Sequence, residues 1–252
     1  VKKNRNQLYE NEVTFFSKLY GGEEFNPVGW TLRLRREKNN LLRLSGKKYL
    51  GRVLSLGCGD GQFEIMLAPY AEKIVGIDIS SEAIRSARLS AKKMEIGNVE
   101  FRLQAIDNIQ EKEKFDTIIC LAFLHHISPS DVLPLLRSIY RHLSAGGNFY
   151  SQDPSINGIL RKIGHRLFQN WTSKFHSPDE YELDPVELDR QLSVSGFNDI
   201  CIGYNDLTLI PGLYVIKRGF SVLMHLMLYF DWIWCHSPYA RWSSCFYLYA
   251  KK

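Results

Sequence analysis

The sequence predicts an α/β fold, doubly wound around a mostly parallel sheet, and three observations carry that expectation. From about residue 50 onward, apolar stretches of strand length alternate with segments of helical periodicity, the grammar of repeated βα units. The stretch RVLSLGCGDG (52–61) runs an apolar strand straight into Gly57, Gly59 and Gly61. A second such strand, KIVGID, ends on Asp78, seventeen residues beyond Gly61. Glycine lacks a Cβ and tolerates positive φ, so backbone here can approach a ligand, and an acid ending the next strand faces the same crevice.

Residues 6–20 place Leu8, Tyr9, Val13, Phe16 and Leu19 or Tyr20 near one another at helical spacing, and 30–46 reads as a second, basic helix ended by Gly46. Strands are expected at 52–57, 73–78, 99–103, 115–121 and 143–154, with helices over 62–71 and 81–94. After the fourth strand, Ser128 reads as a helix cap, Pro129 suits the first turn, and Leu133, Leu136, Ile139, Tyr140 and Leu143 form the buried stripe, with Gly146 and Gly147 ending it. DPVELDRQLSVSGF (184–197) repeats the pattern with Asp184 as cap, Pro185 at the first position and Gly196 past the end. Strands at 197–204 and 243–250 bring the sheet to seven, a Rossmann-like architecture. Two stretches exceed this minimum, 155–183 and 205–240, and the first carries a basic amphipathic helix with Ile159, Leu160, Ile163, Leu167 and Phe168 on one side. The expected organisation is an N-terminal helical lid over 1–50 and a ligand-binding domain over 51–252 with those two insertions on the substrate side.

The glycine spacing narrows the ligand. A dinucleotide fingerprint needs a third glycine where this chain has Gln62, and Asp60 adds negative charge where a pyrophosphate would lie. With LGCGDG followed by Asp78, the chain resembles the class I S-adenosylmethionine (SAM) dependent methyltransferases of small-molecule type over roughly 50–153, with a matching end at 243–250. The resemblance implies that the last strand lies antiparallel between its neighbours. It implies a cofactor site of Leu56, Gly57, Cys58, Gly59, Gly61, Asp78, Ile79, Ile106, Asp107, Leu121 and Ala122, with Asp78 on the ribose and Asp107 near the adenine, a contact that Asn108 or Ile106 could equally supply. Asp60 either joins a network to the cofactor's ammonium or caps the following helix, and capping is the commoner role for such an acid. FDTIICLAFLHHI (115–127) delivers His125 and His126 to the end of the fourth strand. By likeness to amine methyltransferases, His126 is the candidate general base and faces the acceptor; its alternative is packing against the cofactor or capping a helix. His125 reads as structural. Tyr9 and Tyr20 are candidate lids over the substrate, with ordinary helix packing as the alternative.

Composition bounds the rest. At 252 residues with 45% hydrophobic and 23% charged content, the chain reads as a folded protein, not a disordered one. The net charge of +5 lies in residues 1–50, where eleven Lys/Arg stand against five Glu. No interleaved basic and aromatic pattern points to nucleic acid. Cys58, Cys120, Cys201, Cys235 and Cys245 form no CxxC pair, so neither structural zinc nor a disulfide framework is expected, no metal is assigned, and a reducing, cytoplasmic location follows. Residues 1–20 are polar and charged, unlike a secretory leader. GFSVLMHLMLYF (219–230), the most apolar run, is too short to span a bilayer; between Lys217, Arg218 and Trp232, Trp234 it reads as a lid, a dimer surface or a membrane-facing helix. The leading expectation is methyl transfer from SAM, with S-adenosylhomocysteine as product, to a small or lipid-like acceptor. The alternatives are an NAD-dependent oxidoreductase of the same fold, or a non-catalytic binding protein docking through 219–236.

Overall fold

The computed structural model describes residues 27–110, 112–167, 180–216 and 220–252. The helix expected over 6–20, with Tyr9 and Tyr20, lies outside the described residues, as do Phe168, Lys217 and Arg218.

Helix α1 (Pro27–Ser45) precedes β1 (Arg52–Leu56), α2 (Gln62–Leu67), β2 (Lys73–Asp78), α3 (Ser81–Lys93), β3 (Val99–Leu103) and β4 (Phe115–Leu121). There follow α4 (Pro129–His142), β5 (Leu143–Pro154), α5 (Ile159–Leu167), α6 (Pro185–Val194), β6 (Asn198–Asn205), α7 (Leu209–Val215), α8 (Ser221–Cys235) and β7 (Cys245–Lys251). The seven strands make one sheet in the order β3-β2-β1-β4-β5-β7-β6. All pairings up to β5 are parallel, and β7 runs antiparallel to both β5 and β6. The order reverses between β1 and β4, and the crevice outside their carboxyl ends is where open α/β sheets place ligands.

Strand periodicity sorts the core onto two faces. Leu54, Ile118, Phe149 and Leu248 pack with Leu136, Ile139, Leu188 and Leu192 of α4 and α6. Val53, Ile119, Tyr150 and Tyr249 pack on the other face with Leu34 and Leu41 of α1 and Phe63 and Leu67 of α2. Central strands covered on both sides read as continuous apolar runs, which is why β1, β2 and β4 stand out in the sequence.

Several helix ends match their sequence signals. Gly46 follows α1 at φ +63°, and Asp184 accepts the Val186 N–H at 3.0 Å to cap α6, with Gly196 at φ +101° beyond its end. Others differ. Ser128 makes no side-chain cap on α4; its hydroxyl meets that of Ser130 at 3.0 Å, while its carbonyl accepts from Asp131. Helix α4 already gives way to β5 at Leu143, ahead of Gly146. α2 stops at Leu67 because Pro69 enters a 3-10 turn, Ala68–Tyr70. None of the five cysteines forms a disulfide. Among the described residues no helix is long and apolar enough to cross a membrane.

Sequence periodicity did not disclose how α1 is held. Arg33 and Arg36 reach across the sheet end to Asp206, at 3.2 and 2.7 Å, and Arg33 also donates to Gln152. Glu37 accepts from Arg36, from the Tyr150 hydroxyl at 2.7 Å and from the Asn205 amide at 2.8 Å. Asp206 and Glu37 are fully buried, so each charge is matched inside the protein and not by water.

Candidate active site

β1 ends at Leu56, and the chain turns through Gly57, Gly59 and Gly61, all left-handed at φ +66°, +54° and +76°. A Cβ on Gly57 would collide with the Phe123 ring from the turn after β4, so the two loops that flank the switch point are packed on each other. A Cβ on Gly61 would run into Phe101 and Ala87. Gly61 itself occupies the cap position of α2 and no side chain caps that helix. The helix-capping role for Asp60 is therefore replaced by a bond to its neighbour: Asp60 accepts from the Gln62 amide at 2.6 Å.

Asp78 ends β2 at the mouth of this loop. Its Oδ2 accepts from the Gly59 N–H at 2.9 Å and its Oδ1 from the Ser80 N–H at 2.8 Å. Ser80 in turn caps α3, its hydroxyl accepting from Ala83 N–H at 3.2 Å. Burial raises the Asp78 pKa above the ordinary range, while the N–H groups of Ser80, Gly59 and Ile79 and the nearby His126 oppose that shift. A carboxylate has about four lone-pair directions, so oxygens held this way retain capacity for two hydroxyls.

The loop is ringed by acids. Glu64 of α2 is buried beneath it and accepts from the Ser55 hydroxyl at 2.5 Å. Burial, reinforced by Asp60 and Asp78, pushes its pKa up to about 7. Burial and the same three carboxyls raise the Cys58 thiol well above its usual value, so it is a thiol packed in the turn and not a nucleophile. Asp60 and Asp78 beside a glycine loop repel a pyrophosphate and suit a ligand carrying positive charge, while Glu64 keeps its proton up to about 7. The Glu64 shift carries a pH prediction. The folded state keeps this proton up to about 7 whereas the unfolded chain releases it near 4.5, so folding stability declines as pH rises through that window. Buried Asp153, raised to about 7 by burial, adds the same sign. Glu64→Gln should therefore make the decline in stability across this window shallower, measured by chemical denaturation at a series of pH values; an unaltered slope would contradict the buried, protonated Glu64.

Across the crevice, Leu121 ends β4 and Ala122 follows at φ +52°, its N–H donating to the Gln152 carbonyl at 2.7 Å. A non-glycine residue held in this region marks a position over-determined by its surroundings, as functional loops commonly are. Leu124–His126 form a 3-10 turn. His125 is buried, and its Nδ1 lies 2.9 Å from Asp153 Oδ1, which also accepts the His125 backbone N–H at 3.3 Å. His126 is half-buried and close enough to Asp78 and Asp153 to favour both as carboxylates. Ile106 packs against the core from a 3-10 turn after β3, and Asp107 is exposed on that turn. The structure thus brings Leu56 to Gly61, Asp78, Ile79, Leu121, Ala122 and His126 to the carboxyl ends of β1, β2 and β4, with Ile106 and Asp107 on the turn beyond β3. Sequence reasoning missed Glu64, Asp153 and Glu180. Glu64 reads as one more acid at a helix start, and Glu180 comes to the histidine turn beside Tyr181, whose N–H donates to the His125 carbonyl at 2.8 Å.

Comparison with known proteins agrees with this geometry. A family model described as "Methyltransferase domain" matches residues 47–186. The chain is 26% identical over 185 residues to a ubiquinone biosynthesis O-methyltransferase of Idiomarina loihiensis, covering 71% of each chain. Its fold is similar to that of a SAM-dependent methyltransferase from Archaeoglobus fulgidus, with a TM-score of 0.60 at 18% identity over 88% of this chain and 94% of that one. It is also similar to phosphoethanolamine N-methyltransferase 2 of Haemonchus contortus bound to SAM, with a TM-score of 0.63 at 20% identity over 94% of this chain and 56% of that one.

Proposed function

The chain belongs to the methyltransferase-domain family and is a SAM-dependent methyltransferase, and from that premise we propose that it methylates a hydroxyl or amine on a small, partly apolar acceptor. The observation that carries the reading is the Asp78 carboxylate, tied by both oxygens to Gly59 and Ser80 at the mouth of a glycine loop. In this reading Asp78 accepts the ribose hydroxyls, Gly57 and Gly59 admit the methionine end, and Ile79, Ile106, Asp107, Leu121 and Ala122 line the nucleoside. Bound SAM supplies a methyl group whose bond to sulfur breaks as an acceptor lone pair forms the new one, the sulfide departing neutral. The residues present fit it: the acid-ringed loop favours a cationic ligand, and no phosphate has to be accommodated.

His126, on the β4 side of the crevice, takes the acceptor's proton as the new bond forms, a role that suits imidazole near neutral pH. The apolar acceptor is supported by the name of the Idiomarina relative, an O-methyltransferase of ubiquinone biosynthesis, and by the apolar side chains that α5 and α8 carry outward, among them Ile163, Leu167, Leu226 and Trp232. In this reading α5 and α8, from the two insertions, roof the acceptor pocket, and α1 completes it from the other side. Calorimetric titration with SAM, S-adenosylhomocysteine and NADH tests the reading: micromolar binding of the first two alone is expected, and binding of NADH alone would replace it with a dehydrogenase. For His126→Ala the expected outcome is cofactor affinity within about threefold of wild type and turnover lowered by about 10²-fold or more, the usual share of a general base; an unchanged rate would assign His126 to packing.

A further inference from the structure

In place of the metal-free site expected from the sequence, we propose that His125, His126 and Glu180 form a binding site for a divalent transition metal, with zinc as the best match. Each offers one ligand atom, and the three atoms lie within 4.8 Å of one another, a set that small side-chain movements would close around an ion. Successive side chains in a 3-10 turn diverge by about 120°. Here the two rings instead converge, with centroids 3.9 Å apart at an interplanar angle of 44°.

The surroundings have the form of a metal site. Asp153, fully buried, holds His125 through Nδ1 at 2.9 Å, the carboxylate–histidine arrangement that fixes a ligand's tautomer and orientation, and His125 would ligate through Nε2. The bond from Tyr181 N–H to the His125 carbonyl fastens the Glu180 segment to the histidine turn. A second tie lies a few residues on, where Ile156 N–H donates to the Leu183 carbonyl at 3.0 Å. Two imidazoles and one carboxylate favour a borderline ion such as zinc over magnesium or calcium, which prefer all-oxygen sites. Three protein ligands leave a coordination position for an acceptor oxygen or nitrogen. Because His126 also borders the cofactor crevice, the site deepens the proposed function and rests on that reading for the metal's role, though not for the binding itself: the ion would hold the acceptor heteroatom and ease loss of its proton to solvent, with His126 as a ligand in place of the general base.

The test titrates full-length protein, freed of metal by chelator, with Zn2+ against a competing chromophoric chelator. The expected result is one tight equivalent per chain, weakened at least tenfold in Glu180→Gln and in His126→Ala, and tenfold to a hundredfold in Asp153→Asn, the usual effect of losing a carboxylate behind a ligating histidine. Circular dichroism and SAM titration of the same samples establish that each variant is folded. Tight zinc binding unchanged by Glu180→Gln and His126→Ala, or no tight equivalent in the wild type, would overturn the site. SAM binding without zinc binding would remove the metal and keep the proposed function. Zinc binding lost in these variants, in a protein that fails to bind SAM, would keep the site and remove the function.

Discussion

Asp78→Ala is expected to weaken SAM binding by about 2 to 4 kcal/mol, the loss of two hydrogen bonds from ribose hydroxyls to an ionised carboxylate. The size follows from the environment. Asp78 is half-buried, and burial already raises its pKa, so the carboxylate persists through its bonds from the N–H groups of Ser80, Gly59 and Ile79. Those bonds orient the oxygens before a ligand arrives, so little ordering is left to be done on binding. Removing the side chain also releases the Gly59 and Ser80 N–H groups, and Asp78→Asn separates the two effects: the amide oxygen keeps one backbone bond but the charge is lost. Isothermal titration of both variants against SAM and S-adenosylhomocysteine checks this. Affinities equal to wild type in both would remove the ribose assignment.

Asp206→Ala is expected to destabilise the fold by about 3 to 5 kcal/mol, the range for breaking a buried ion pair by removing one partner. Arg33 is buried and Arg36 nearly so, and among the described residues the variant leaves Arg33 bonded to the uncharged Gln152 and Arg36 to Glu37. Burial acts to raise the Asp206 pKa, but Arg36 and Arg33 outweigh it and hold the carboxyl below its ordinary value. A depressed folded value means that this contribution is complete above the ordinary aspartate range and is lost as pH falls through the lower folded one. Urea denaturation at neutral pH should show the loss directly, and acid titration of the wild type should show it again at the low end. A midpoint like that of wild type would mean that the guanidinium groups find other partners or water.

The sheet and the glycine loop at its crevice were legible in the sequence because their requirements are local. A parallel strand buried on both faces must be an apolar run, a turn at positive φ selects glycine, and Asp78 lies one βα unit beyond the loop it serves. The Arg33–Asp206 contact spans 173 positions and has no period to announce it. Glu180 is in the same situation, since only the folded chain carries it to the histidine turn. The caps divided on the same principle. Asp184 caps as its position suggests, whereas Ser128 and Asp60 turn to neighbouring side chains two residues away, and a sequence pattern does not say which of two nearby partners a short polar side chain will take.

The place of β7 between β5 and β6 has a consequence for how the protein is made. On the ribosome β6 emerges before β7, yet its ladder partner is β7, so for the time taken to synthesise the intervening forty or so residues it has nothing to pair with. During that interval the outer edge of β5 is also bare. In the finished fold Asp206, just past β6, is paired with two arginines of α1, so the end of β6 has an attachment that does not run through β7. Insertion of β7 covers both bare edges, the surfaces on which strands of different chains join, at once.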